Sequence, residues 1–141
     1  MNGFISLLSI VLNIHMTNQN IPKKILYWYD NNKRALPWRK KVSKKKQEYF
    51  TLVSEFMLQQ TQVKTVIPFF EKFIKEFPNL KILAKSSDHK ILKNWEGLGY
   101  YSRARNLKKT AIKLLREYKG ELPEDIETLK SLPGIGEYTS R

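Results

Sequence analysis

The 141-residue sequence contains no cysteine. That excludes a disulfide framework, a thiolate metal site and thiol redox chemistry supplied by the chain itself. Histidine is nearly missing as well: His15 and His89 stand far apart and make a poor case for a metal site. Acidic residues are scarce, 13 against 26 basic ones, leaving a formal net charge of +13. Such an excess favours polyanionic partners, either nucleic acid or an anionic membrane surface. Lysine outnumbers arginine 20 to 6, however, and a general lysine bias raises charge without any binding role. Long hydrophobic runs are absent too. The longest, residues 4–14, has eleven residues, whereas a membrane-spanning helix needs about 20. It also lacks the positive leader and small-residue cleavage site of a signal peptide. Met16 reads as the natural start, and residues 1–20 as an N-terminal extension outside the functional argument. Neither a convincing alternating strand nor an internal repeat occurs, so the chain is expected to be all α.

What is present is a succession of helical periods. Pro22 suits a first helical turn, with Ile25, Leu26, Trp28 and Tyr29 following it. The stretch Arg34-Ala-Leu-Pro-Trp-Arg39 is extended around Pro37. Its tryptophan between arginines suits stacking on a base, although a core tryptophan beside a solvated basic run is the commoner use. Residues 40–46 are expected to form a mobile loop of like charge. A helix from about Tyr49 to Gln60 follows, with Leu52, Val53, Phe56, Met57 and Val63 on one apolar face. Glu55 lies inside that face, and Gln59-Gln60-Thr61-Gln62 comes directly after it. A helix that only filled a core would have little use for such an acid.

The next helix is expected from Val63 to Phe77, with Phe69, Phe70, Phe73, Ile74 and Phe77 as its core stripe. A short segment from Leu80 leads to Ser86-Ser87-Asp88, which provides N-cap chemistry for a helix reaching Trp95. Beyond the Gly97-Leu-Gly99 turn, Ser102 is placed to cap a helix with Ala104, Leu107, Ala111, Leu114 and Tyr118 on its apolar face. Arg103, Arg105, Lys108, Lys109, Lys113 and Arg116 are assigned to its opposite, basic face. Gly120 ends it, and Pro123-Glu-Asp125 starts a short helix through Leu129. The closing residues, Leu132-Pro-Gly-Ile-Gly136 onward, read as a helix-hairpin-helix turn whose backbone N–H groups suit a phosphate.

Four blocks taken together resemble the helix-hairpin-helix DNA glycosylases, and within them the adenine glycosylases of the MutY family. They are Leu36-Pro-Trp38, the run Ser54-Glu-Phe-Met-Leu-Gln-Gln-Thr-Gln-Val63, Trp95 through Asn106, and Leu132-Pro-Gly-Ile-Gly136. The resemblance covers nearly all of residues 21–141, which it identifies as the N-terminal portion of a glycosylase domain. It implies most of a six-helix barrel that ends inside the hairpin. Base excision repair of double-stranded DNA is the implied activity, on adenine mispaired with 8-oxoguanine or guanine. Glu55 matches the acid that protonates adenine, a role that burial among Leu52, Phe56 and Leu58 would favour by raising its pKa. Arg34, Leu36 and Trp38 match the base pocket. Gln60 and Tyr100 match residues that wedge into the stack. Arg103 matches a basic residue near the DNA backbone, and Gly134, Ile135 and Gly136 match the phosphate-binding hairpin.

Tyr138 stands where the endonuclease III-like enzymes hold a Schiff-base lysine, so the resemblance implies an adenine enzyme without lyase activity. The alternatives are a non-catalytic DNA-binding remnant and an endonuclease III-like glycosylase. A cytoplasmic, nucleoid-associated bacterial protein is implied. Several family features are not in the sequence: the catalytic aspartate of an Asp-Gly-Asn segment, the four cysteines of a [4Fe–4S] cluster, and the domain that helps recognise 8-oxoguanine. The expectation is therefore a truncated piece, inactive and marginally stable alone, with no cofactor of its own. A separately encoded C-terminal half would be its partner.

Overall fold

The computed structural model describes residues 35–136. The helix expected after Pro22, the apolar run at 4–14, Arg34 and Tyr138 lie outside the described residues, as does the proposed boundary at residue 20. Among the described residues there are six α-helices and no strand. A 3-10 turn at Pro37–Arg39 precedes α1 (Lys44–Leu58), α2 (Val63–Glu76), α3 (Leu80–Lys85), α4 (Asp88–Trp95), α5 (Ser102–Glu117) and α6 (Ile126–Lys130). The all-α expectation holds for this region.

Helix α1 begins five residues earlier than its apolar period suggests, inside the stretch expected to be a mobile loop. Ser43 explains the difference: its Oγ accepts the Lys46 N–H at 3.3 Å. That bond satisfies one of the donors a helix start leaves unpaired. Lysine is a good helix former, and Lys44 lies 4.0 Å from the Glu48 carboxylate one turn on. Three further starts use the same device. Asn79 Oδ1 accepts from Ile82, Ser87 Oγ from Lys90, and Asp125 Oδ1 from Thr128. The expectation for Ser102 needs correction. It is the first residue of α5, Tyr101 holds the cap position, and no side chain caps that end.

The core is aromatic. Phe70 of α2 meets Trp38 edge-on at 5.2 Å and Phe50 of α1 at 5.6 Å. Phe73 packs against Phe77 at 4.6 Å and against Trp95 of α4 at 5.8 Å. Each such ring contributes about 1.5–3 kcal/mol through burial alone. The Tyr49 hydroxyl crosses from α1 to donate to the Phe77 carbonyl at 2.5 Å, and burial pushes that phenol well above its ordinary range. Helix α5 packs on α1, α3 and α4, burying Ala104, Leu107, Ala111 and Leu114. Its C-terminus closes on Gly120, at φ +78°, whose N–H donates to the Leu114 carbonyl at 2.8 Å. These contacts hold α1 at the centre of the bundle, with one end directed toward the two glycine-containing turns.

Candidate active site and nucleic-acid interface

Glu55 sits in the last turns of α1 and is 2% exposed. The helix period places it on the enclosed side with Leu52, Phe56 and Met57, as the pattern predicts. Four residues on, one turn along the helix, Gln59 is half-buried. Its Nε2 donates to the Gly134 carbonyl at 3.1 Å, while its buried Oε1 has no hydrogen-bond partner among the described residues. The hairpin is therefore tied to the same helix that carries the acid.

The hairpin has a second anchor on α5, where the fully buried Thr110 donates to the Pro133 carbonyl at 2.9 Å. Gly134 adopts φ +80°, and a Cβ there would lie 2.8 Å from the Asn106 Cβ and 2.9 Å from the Phe56 ring. At Gly136 an added Cβ would overlap the Lys130 carbonyl oxygen. Both glycines are thus demanded by close approach. Ile135 is 4% exposed and anchors the turn in the core. Its N–H donates to the Leu132 carbonyl at 3.2 Å, so that donor serves the turn itself and does not face outward.

Gln60 and Tyr100 occupy the exposed edge. Both are left-handed, at φ 60° and φ 46°, a conformation costing an L-residue roughly 1–2 kcal/mol. Tyr100 is 62% exposed. Each lies beside a segment held by one side chain, Arg103.

Arg103 departs from expectation. It does not lie on the basic face of α5 but is 1% exposed. Its Nη1 donates to the carbonyls of Phe56 (3.2 Å), Met57 (2.7 Å) and Gln59 (2.5 Å) and to Thr61 Oγ1 (3.1 Å). Its Nη2 donates to the carbonyls of Leu98 (3.3 Å) and Gly99 (3.0 Å), and its Nε to that of Tyr100 (3.3 Å). The physical reason is the C-terminus of α1, whose last carbonyls lack helical partners and carry the negative end of the helix dipole. A guanidinium committed in this way is enclosed, not presented to a phosphate. The rest of that face is also partly engaged: Lys108 pairs with Asp88 at 2.6 Å and Arg116 with Glu117 at 2.8 Å.

Leu36 is half-buried at the start of the 3-10 turn. Trp38 is 3% exposed, and its ring packs edge-on to Phe70. It fills the core, the commoner of the two uses weighed for it, and offers no open face for a base to stack on. Arg103 thus ties the end of α1, beside Gln60, to the turn at Tyr100, Gln59 ties the same helix to Gly134, and Trp38 stays apart among the aromatics. Reading the sequence missed Gln59 and Thr110 as ties to the hairpin. Arg103 and Thr110 carried a usable signal, since both fall at helical steps from Leu107 and Leu114, on the buried stripe.

Among the described residues no group of three or more His, Asp or Glu side chains is placed to hold a metal ion. With no cysteine in the sequence, this chain supplies no ligand for an iron–sulfur cluster of the thiolate type.

The described residues thus form an all-helical bundle in which one helix carries a buried acid and is tied to a glycine turn. Residues 53–138 match the family model described as HhH-GPD superfamily base excision DNA repair protein, and the chain belongs to that superfamily. It is 48% identical over 126 residues to an adenine DNA glycosylase of Buchnera aphidicola (strain Bp), covering 89% of this chain and 35% of that one. Over 123 residues it is 45% identical to the adenine DNA glycosylase of Rattus norvegicus, covering 84% of this chain and 24% of that one. The chain therefore spans a quarter to about a third of these relatives' length. Among solved structures it resembles a thermostable thymine-DNA glycosylase, with TM-score 0.67 and 27% identity over 83% of this chain and 52% of that one. A trapped endonuclease III–DNA covalent intermediate shares the fold, with TM-score 0.63 and 18% identity over 84% of this chain and 53% of that one.

Proposed function

We propose that this chain carries the acid-bearing half of an adenine DNA glycosylase active site, with duplex DNA containing adenine opposite 8-oxoguanine or guanine as its partner. The observation that carries this reading is Glu55, a carboxyl 2% exposed in the helix whose end also holds the hairpin through Gln59. Taking a carboxyl out of water favours its neutral form, which is the form a proton donor needs. In the proposed reaction the adenine leaves the stack, and Glu55 passes a proton to the adenine ring. The N-glycosidic bond then breaks with its electron pair on the base, which departs neutral, and water adds to the sugar cation and returns a proton to the Glu55 carboxylate. Gln60 and Tyr100 are proposed to fill the stack, the hairpin backbone to hold a phosphate, and Arg34 and Leu36 to border the base. Trp38 supports that border from within. Tyr138, a phenol where the lyase enzymes have an amine, supports simple hydrolysis over strand cleavage.

The sugar cation calls for a second carboxylate, and the sequence contains no Asp-Gly-Asn segment. The chain alone is therefore expected to bind duplex without excising adenine, and a separately supplied C-terminal half is proposed as its partner. No helix among the described residues is long and apolar enough to cross a membrane, and a nucleoid-associated role suits the net charge of +13. Anisotropy titrations and single-turnover excision on an A:8-oxoguanine duplex test this. Binding should weaken steeply with salt, by about 10³-fold or more between 50 and 200 mM if six or more phosphates are neutralised. No binding at low salt would sink the DNA reading. Excision by the chain alone that disappears in Glu55→Gln would contradict the expected inactivity and keep the role of Glu55.

A further inference from the structure

We propose that Arg103 is a positioning residue that locks Gln60 and Tyr100 into one edge and does not itself contact DNA. The use of that edge rests on the DNA reading above; the coupling does not. The two sides of one guanidinium serve two different segments. Nη1 is given to the end of α1 and the turn after it, through the carbonyls of Phe56, Met57 and Gln59 and the Thr61 hydroxyl. Nη2 and Nε are given to the glycine turn before α5, through the carbonyls of Leu98, Gly99 and Tyr100. Because the donors are fixed in a rigid plane, the position of one segment sets that of the other.

The residues that immediately flank these bonds are the left-handed ones. Gln60, at φ 60°, lies between Gln59 and Thr61, and Tyr100, at φ 46°, is itself a carbonyl partner. Neither is a glycine, so each conformation carries a steric cost that contacts around it must offset. The guanidinium also lies 5.5 Å from the Trp95 ring and 5.6 Å from the Tyr100 ring, placing one cation between a core aromatic and an exposed one. The Trp95 indole N–H donates to the Gly99 carbonyl at 3.2 Å, which steadies the same turn from the core side. Arg103 reaches no further outward than this edge, being 1% exposed.

Lysine keeps the charge but not the fork, so Arg103→Lys separates the two. NMR of the 141-residue chain reads the left-handed backbone directly, from the Cα and Cβ shifts and amide couplings of Gln60 and Tyr100. Both signatures should be lost together in Arg103→Lys, while α2 and α4 keep their wild-type shifts. Loss at only one residue, or at neither, overturns the coupling. Should the variant not fold, the wild-type Arg103 Nε–H decides: it should exchange at least about 100-fold slower than in a free arginine, and unprotected exchange overturns the proposal. Arg103→Gln tests contact with DNA separately. A phosphate-contacting residue lowers the salt slope of duplex binding by about 1, whereas a positioning residue leaves the slope unchanged while binding weakens. A lowered slope overturns that part. If the wild type binds no duplex, the DNA reading fails and the NMR result still decides the coupling.

Discussion

Gly134 answers to several constraints at once: a φ of +80°, the Asn106 side chain of α5, and the Phe56 ring of α1. Its carbonyl in addition accepts the Gln59 amide. Gly134→Ala adds a methyl group where the neighbours belong to two packed helices, so relief requires helix movement. The variant is expected to lose about 2 kcal/mol or more, measured by denaturant melting. A change within about 0.5 kcal/mol, as at an unconstrained surface site, would show that the hairpin is not seated as described. At this scale the sequence was legible where chemistry is local. A glycine between Pro133 and Ile135 announces a turn, and an acid inside an apolar run announces a buried carboxyl. Arg103 was not legible by residue type, because a charged side chain on a basic helix is ordinarily solvated. Its register was the better guide, since position 103 lies one turn before Leu107 on the buried stripe.

Helices α1 and α5 carry most of the residues on which the proposed function rests, and their ends were harder to place than their centres. The centre of α1 follows from its apolar period. Its start does not, because the lysine run at 44–46 has no apolar signal and only Ser43 marks the boundary. Ser43→Ala removes the acceptor for the Lys46 N–H and is expected to cost about 1 kcal/mol. The thermal midpoint should fall accordingly, while Thr61→Ala, which touches the opposite end, would leave the first turn intact. An unchanged midpoint in Ser43→Ala would mean that residues 44–48 are held by something other than this cap. The end of α1 was legible only as a polar cluster. The carbonyls released there are taken up by a side chain more than 40 residues away in sequence, and such long-range capping leaves no local trace. Thr110, whose hydroxyl secures the hairpin from the middle of α5, also acts across a long stretch of chain, and only its register on the buried stripe marks it.

Over the described residues, the aromatic core formed by α2, α4 and the turn at Pro37–Arg39 serves as the support, and the α1–hairpin junction is the end to which the proposed function is assigned. The basic excess is less available than composition suggests, since Arg103 is buried and Lys108 and Arg116 are paired. Affinity for duplex should accordingly depend on fewer cations than the net charge of +13 implies. The superfamily was legible because its marks lie in short blocks. Of the two carboxylates the proposed reaction calls for, the sequence contains Glu55 and no Asp-Gly-Asn segment.

Glu55 is proposed as the proton donor of an adenine glycosylase site whose second carboxylate these 141 residues do not supply. The most direct test of this is single-turnover excision on an A:8-oxoguanine duplex, with this chain co-expressed with a C-terminal polypeptide supplying the Asp-Gly-Asn segment and the cluster cysteines. Adenine release is expected from the pair and from neither part alone, and it should be abolished by Glu55→Gln. Release that persists in Glu55→Gln, or a well-folded pair that binds the duplex and releases nothing, would contradict the account.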